Sequence, residues 1–141
     1  MSITSTQGTL HGQWSADASL QVSDRRLKTS IEPLYRTIAA RAKEKGGPAG
    51  RALGTGGASE PPIGWLLREL RPVSFHLKHG SEAKHLKFGF IAQELETVFP
   101  NLVRTIGQDD TKAVATQDLI AVLTLALQTL QRQLEVNNKT L

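Results

Sequence analysis

The last quarter of the chain carries the pattern that most restricts the fold. Apolar residues fall at Ile120, Leu123, Leu127, Leu130, Leu134 and Leu141, and Asn137 fills the position that the last step skips. Alternating steps of three and four keep one stripe along an α-helix and define a heptad. Ile120, Leu127, Leu134 and Leu141 take one core position; Leu123, Leu130 and Asn137 take the other. Thr116 or Asp118 is the expected cap. Leu119, Val122, Leu125 and Val136 widen the apolar face and favour packing of the first half on the chain's own domain. Two readings follow: a helix packed inward, or a coiled coil between copies in which Asn137 fixes the register.

The rest of the chain must supply what that helix packs on. Its 141 residues suit one domain, or one domain with a tail. A domain this small is marginal enough for an oligomer to help it. There is no cysteine, which excludes disulfides and thiolate metal sites. The histidines His11, His76, His79 and His85 lack zinc-motif spacing, so neither metal nor cofactor is expected. The net charge of +4 is spread over Arg25-Arg26-Lys28, Arg41-Lys43-Lys45, Arg68-Arg71 and Lys78-Lys84-Lys87. No dense basic block forms, which argues against nucleic-acid binding through this segment. No apolar run approaches the roughly 20 residues of a membrane span, so a soluble chain is expected.

Residues 1–22 are small and polar apart from Trp14, with short alternations at 9–11 and 19–22 that read as brief strands. This segment reads as the end of an upstream stalk, or an arm. Pro33 fits the first turn of a helix carrying Leu34, Tyr35, Ile38 and Ala42, which Gly46-Gly47-Pro48 stops. Residues 46–62, with six glycines and three prolines, read as a flexible loop. A short helix through Ile63, Leu66, Leu67 and Leu70 ends before Pro72. Val73, Phe75 and Leu77, then Phe88, Phe90 and Ile91, read as a hairpin around a turn at 79–82, with Phe88-Gly89-Phe90 in the core and Gly89 at a close backbone approach. A helix over 92–99 stops at Pro100, and strands at 102–106 and 112–115 flank a polar turn.

Ser23-Asp24-Arg25-Arg26-Leu27-Lys28 is the candidate for chemistry. A serine hydroxyl becomes a nucleophile when a base takes its proton, and a lysine serves as that base when burial or nearby positive charge lowers its pKa. Arg25 and Arg26 are the candidate sources of that charge. Five residues place Ser23 and Lys28 about 140° apart on a helix, and on opposite faces of a strand. The pair therefore needs a bend at 24–27, or a lysine from a neighbouring chain. The alternative is a Ser-Asp cap followed by a solvated basic stretch.

Four segments in order resemble one family: Ser23 to Lys28 with Ile31, Leu67 to Phe75, Phe88 to Glu96 with Phe99-Pro100, and Leu119-Ile120 opening the last helix. Together they resemble the intramolecular chaperone auto-processing domain of phage endosialidase tailspikes, other tail fibres and the myelin regulatory factors. The resemblance covers roughly 23–136 and implies the following. The fold is α+β, mainly helical with short β-hairpins, and its C-terminal helix (117–141) forms a trimeric coiled coil with Ile120, Leu123, Leu127, Leu130 and Leu134 in its core. The domain (23–141) is a self-cleaving serine endopeptidase acting once, and its partners are its own copies and the upstream stalk. It assists folding of a fibrous or β-helical trimer, then releases itself at Val22–Ser23. Ser23 is the nucleophile, Lys28 the base, and Asp24 has a positioning role. A catalytically silent trimerisation module, or the releasing domain of a membrane-tethered transcription factor, are the alternatives. Two departures stand out: residues 46–62 look like an insertion, and Ala115 stands where relatives often carry an aromatic residue.

Overall fold

A computed structural model of the chain describes residues 20–48 and 60–139. The described residues fall into two units, one of 20–29 with 74–89, the other of 30–73 with 90–139. The second unit holds every buried apolar side chain among the described residues.

Helix α1 (Leu34–Glu44) has Pro33 at its N-cap, where the missing N–H breaks no helical bond. It buries Ile38 and Ala42 one turn apart. Gly46 ends it with φ of 79°, and the amides of Gly46 and Gly47 close back on Lys43 and Ala42. Gly47 has a separate reason to be glycine. A Cβ there would lie 2.6 to 2.8 Å from three ring carbons of Trp65. Trp65 belongs to α2 (Pro62–Leu67), which buries Ile63 and Leu66. One end of the glycine-rich segment thus closes α1 and the other begins α2, and its middle, 49–59, lies outside the described residues.

Helix α3 (Ala92–Val98) buries Leu95 and Val98, and a 3-10 turn at Pro100–Leu102 leads into the strands β3 (Val103–Ile106) and β4 (Thr111–Val114). These pair antiparallel with Val103 opposite Val114 and Ile106 opposite Thr111. Gly107 and Asp110 take positive φ in the intervening turn. Lys112 donates to Glu96 Oε1 at 3.1 Å, joining the hairpin to α3.

Helix α4 (Thr116–Lys139) packs on α1 and α2 through Leu119, Val122 and Leu125, with Ala126 half-buried. The buried hydroxyl of Thr129 donates to the Leu125 carbonyl, so burial leaves it satisfied. The stripe of Ile120, Leu123, Leu127, Leu130 and Leu134 lies one residue further round, and it is exposed, with Ile120 at 65% and Leu127 at 68%. The inward packing expected for Leu119, Val122 and Leu125 is present; Val136 is exposed.

The last turn of α3 shows how charge completes the packing. Its carbonyls lack intrahelical partners. Arg41 Nε donates to the Val98 carbonyl at 2.9 Å and Arg41 Nη2 to that of Thr97 at 2.8 Å, while Lys45 Nζ reaches Thr97 at 3.0 Å. Lys45 also pairs with Glu69. Two cations at a helix C-terminus also complement its dipole.

In the first unit β1 (Val73–Phe75) pairs with β2 (Lys87–Gly89) in a short hairpin, and a 3-10 turn at Ser81–Lys84 lies between them. Three expectations are corrected here. Residues 20–22 are irregular, with no strand. β2 begins at Lys87, and Phe88 points outward, 81% exposed; Ile91 is exposed as well, while Phe90 packs on the core of the second unit. A two-stranded ribbon has one partnered face at most, and here Phe75 takes the half-buried positions. A Cβ on Gly89 would lie 3.5 Å from a ring carbon of Phe75, an ordinary contact with a side chain and not a backbone approach.

Three substitutions test this packing by denaturant unfolding at fixed protein concentration. Gly47→Ala forces the Trp65 ring to move and is expected to cost about 1–3 kcal/mol. Arg41→Met keeps the aliphatic stem but strips the Val98 carbonyl of its donor, with an expected loss of about 1–3 kcal/mol. Lys45→Met should cost less, because the Thr97 carbonyl keeps Arg41.

Candidate active site

The segment from Ser23 to Lys28 is bent. Asp24 is extended (φ −65°, ψ 133°) and caps a single 3-10 turn, Arg25–Leu27; Lys28 is extended again (φ −112°, ψ 147°). The amides of Leu27 and Lys28 close onto the carbonyls of Asp24 and Arg25, each at 3.1 Å. Aspartate favours this position because its carboxylate accepts an amide two residues on. Here the Arg26 amide donates to Asp24 Oδ1 at 2.8 Å.

This bend gives the pair the path that regular helix or strand denies it. Lys28 Nζ donates to Ser23 Oγ at 2.6 Å within one chain. Both residues are exposed, as are all described residues from 20 to 33. Val22, on the other side of the candidate scissile bond, is 76% exposed. The arrangement is that of a hydroxyl beside an amine, next to an accessible peptide bond.

Of the two arginines expected to lend positive charge to Lys28, Arg26 is paired elsewhere. The Arg26 guanidinium is engaged by Asp24: Nε donates to Oδ1 at 3.1 Å and Nη2 to Oδ2 at 2.8 Å. These side-chain bonds, then the Arg26 amide, hold the Asp24 carboxyl below its ordinary pKa, and the same pair raises that of Arg26. A lowered folded value means the carboxylate supports the turn above the ordinary carboxylate range. That support is lost only as pH falls through the lowered value. The role of Arg26 escaped sequence reasoning. The available signal was an acidic cap with an arginine two residues later, a spacing that lets the guanidinium fold back over the turn.

The five residues expected in a trimer core, Ile120, Leu123, Leu127, Leu130 and Leu134, form one exposed stripe on α4, and the described structure holds a single chain. Beside that stripe runs an open groove of about 820 Å³ between α2 and α4, lined by Ile63, Leu67, Leu127 and Leu130 among others.

A family model described as the chaperone of endosialidase, in a peptidase family, matches residues 66–104. The matched segment runs from Leu66 in α2 through β1, β2 and α3 to Arg104 in β3. It contains neither Ser23 and Lys28 nor α4. No curated protein matches the chain. Over residues 66–104 the chain is therefore similar to the chaperone-of-endosialidase family, the group that its four ordered motifs resemble.

Proposed function

We propose that the chain is an intramolecular chaperone that trimerises through α4, assists folding of a fibrous trimer upstream, and then frees itself by cutting Val22–Ser23. The observation that carries the cleavage reading is the 2.6 Å contact between Lys28 Nζ and Ser23 Oγ. The match over 66–104 supports the chaperone reading.

The chemistry balances as follows. Ser23 Oγ attacks the carbonyl carbon of Val22; a C–O bond forms and the peptide C–N bond breaks. Lys28 takes the hydroxyl proton and returns one to the departing Ser23 nitrogen. Water then attacks the ester carbonyl, leaving a carboxylate on Val22 and a free hydroxyl on Ser23. A lysine works as this base only when unprotonated.

Association is supported by the second stripe of α4. Its five side chains are each worth roughly 1–2 kcal/mol when their remaining surface is covered. The sum, about 5–10 kcal/mol per chain, is comparable to the cost of association. Residues 130–139 are exposed all round in the single chain, and ten helical residues are marginal alone in water. The heptad itself does not set the number of strands; three comes from the resemblance. Gathering three chain ends raises the local concentration of the upstream segments and lowers the entropy of starting a non-local β fold.

A second reading, a trimerisation module with a silent site, is favoured by the exposure of residues 20–33, because catalytic groups act most strongly where water is excluded. Denaturing electrophoresis with mass spectrometry separates the two. Wild type should yield a fragment beginning at Ser23, Ser23→Ala should stay intact, and Lys28→Ala should release itself roughly 10²–10⁴-fold more slowly. Wild type that stays intact as a trimer leaves the silent module. For assembly, light scattering should give a trimer that Leu127→Asp with Leu130→Asp reduces to monomer. A wild-type monomer at tens of micromolar would exclude the trimer.

A further inference from the structure

We propose that Arg26 is a positioning residue for self-release: its guanidinium locks the Asp24 carboxylate and so holds the turn that brings Lys28 to Ser23. This rests on the reading of Ser23 and Lys28 as nucleophile and base. The turn is a single 3-10 turn with no buried residue. Isolated 3-10 turns are weakly bonded, and among the described residues none of this turn's side chains is buried. Its own polar contacts therefore weigh heavily on how often it forms.

Those contacts converge on Asp24. Oδ1 accepts the Arg26 amide at 2.8 Å and Nε at 3.1 Å; Oδ2 accepts Nη2 at 2.8 Å. The guanidinium is a planar fork that spans both oxygens, so it fixes the orientation of the carboxylate as well as neutralising it. The same carboxylate caps the turn that carries Lys28 back towards Ser23. Arg25 lies in the same turn and makes no ion pair among the described residues, so its charge acts without a clamp. The charged groups around Asp24 in the turn are Arg25, Arg26 and Lys28. An exposed ion pair contributes little to global stability. Its effect is local, on how often two reacting side chains meet.

The test compares release rates of the full chain for wild type, Arg26→Met, Arg26→Lys, Arg25→Met, Asp24→Asn and the double variant Asp24→Asn/Arg26→Met. Misplacing reacting groups by about an ångström costs up to 10²-fold, so Arg26→Met should slow release roughly 10- to 100-fold. Arg26→Lys, which keeps the charge but not the fork, should recover little of it. Arg25→Met removes the same charge without touching the Asp24 carboxylate and should slow release less than Arg26→Met. The double variant should be no slower than Asp24→Asn alone, since both act through one contact. Equal slowing by Arg25→Met and Arg26→Met would mean charge and not clamping, and would overturn the proposal. So would full additivity of the double variant. In the uncleavable Ser23→Ala chain, carbon-13 NMR should show Asp24 titrating higher once Arg26 is Met; an unchanged titration removes the clamp. Wild type that never releases itself sinks the functional reading and the positioning role together. Wild type that does so while Arg26→Met keeps pace sinks the positioning role alone.

Discussion

Two apolar stripes on one helix govern this molecule. Leu119, Val122 and Leu125 fasten α4 to α1 and α2, and Ile120, Leu123, Leu127, Leu130 and Leu134 run beside them. One residue of offset is about 100° of rotation, so the outer stripe lies clear of the surface that the inner one packs on. The inner stripe ends near Thr129, while the outer one continues along the helix. The helix is held at one end by the inner stripe, and its far side stays apolar and exposed.

That unit is made rigid by means beyond apolar burial. Arg41 on α1 and Lys45 at its C-cap close the end of α3, and Lys112 of β4 reaches Glu96 on α3. Arg71 pairs with Glu94 on the first turn of α3. A seven-residue helix is too short to persist on its own. Here its two ends are tied by cations from other elements, and its buried face by Leu95 and Val98. The region that matches the chaperone family contains this helix and its ties to Arg71.

Much of this was legible in the sequence, for identifiable reasons. Helical spacing located α1, α2 and α4, Pro100 bounded α3, and the polar run Gly107 to Asp110 marked the turn between β3 and β4; α2 ends at Leu67, short of the expected Leu70. Phe88 was misread because alternation shows which residues share a face, but not whether anything lies against it; in a lone ribbon nothing need do so. The roles of Arg41 and Lys45 were hidden because a basic residue on a helix looks the same whether it meets water or another helix's carbonyls. Spacing did reveal that Ser23 and Lys28 required a bend. It did not reveal that Asp24 and Arg26 would lock one.

The 3-10 turn has a consequence in time. Its hydroxyl and amine are five residues apart, so their meeting involves almost no loop closure, and contacts this local form within microseconds. A β-rich fibre assembled from distant parts of three chains takes orders of magnitude longer. On the proposed reading, a cut made as soon as the two side chains met would precede folding of the fibre. Meeting of Ser23 and Lys28 would then not be the slow step, and release would be timed by whatever governs access to the Val22 carbonyl.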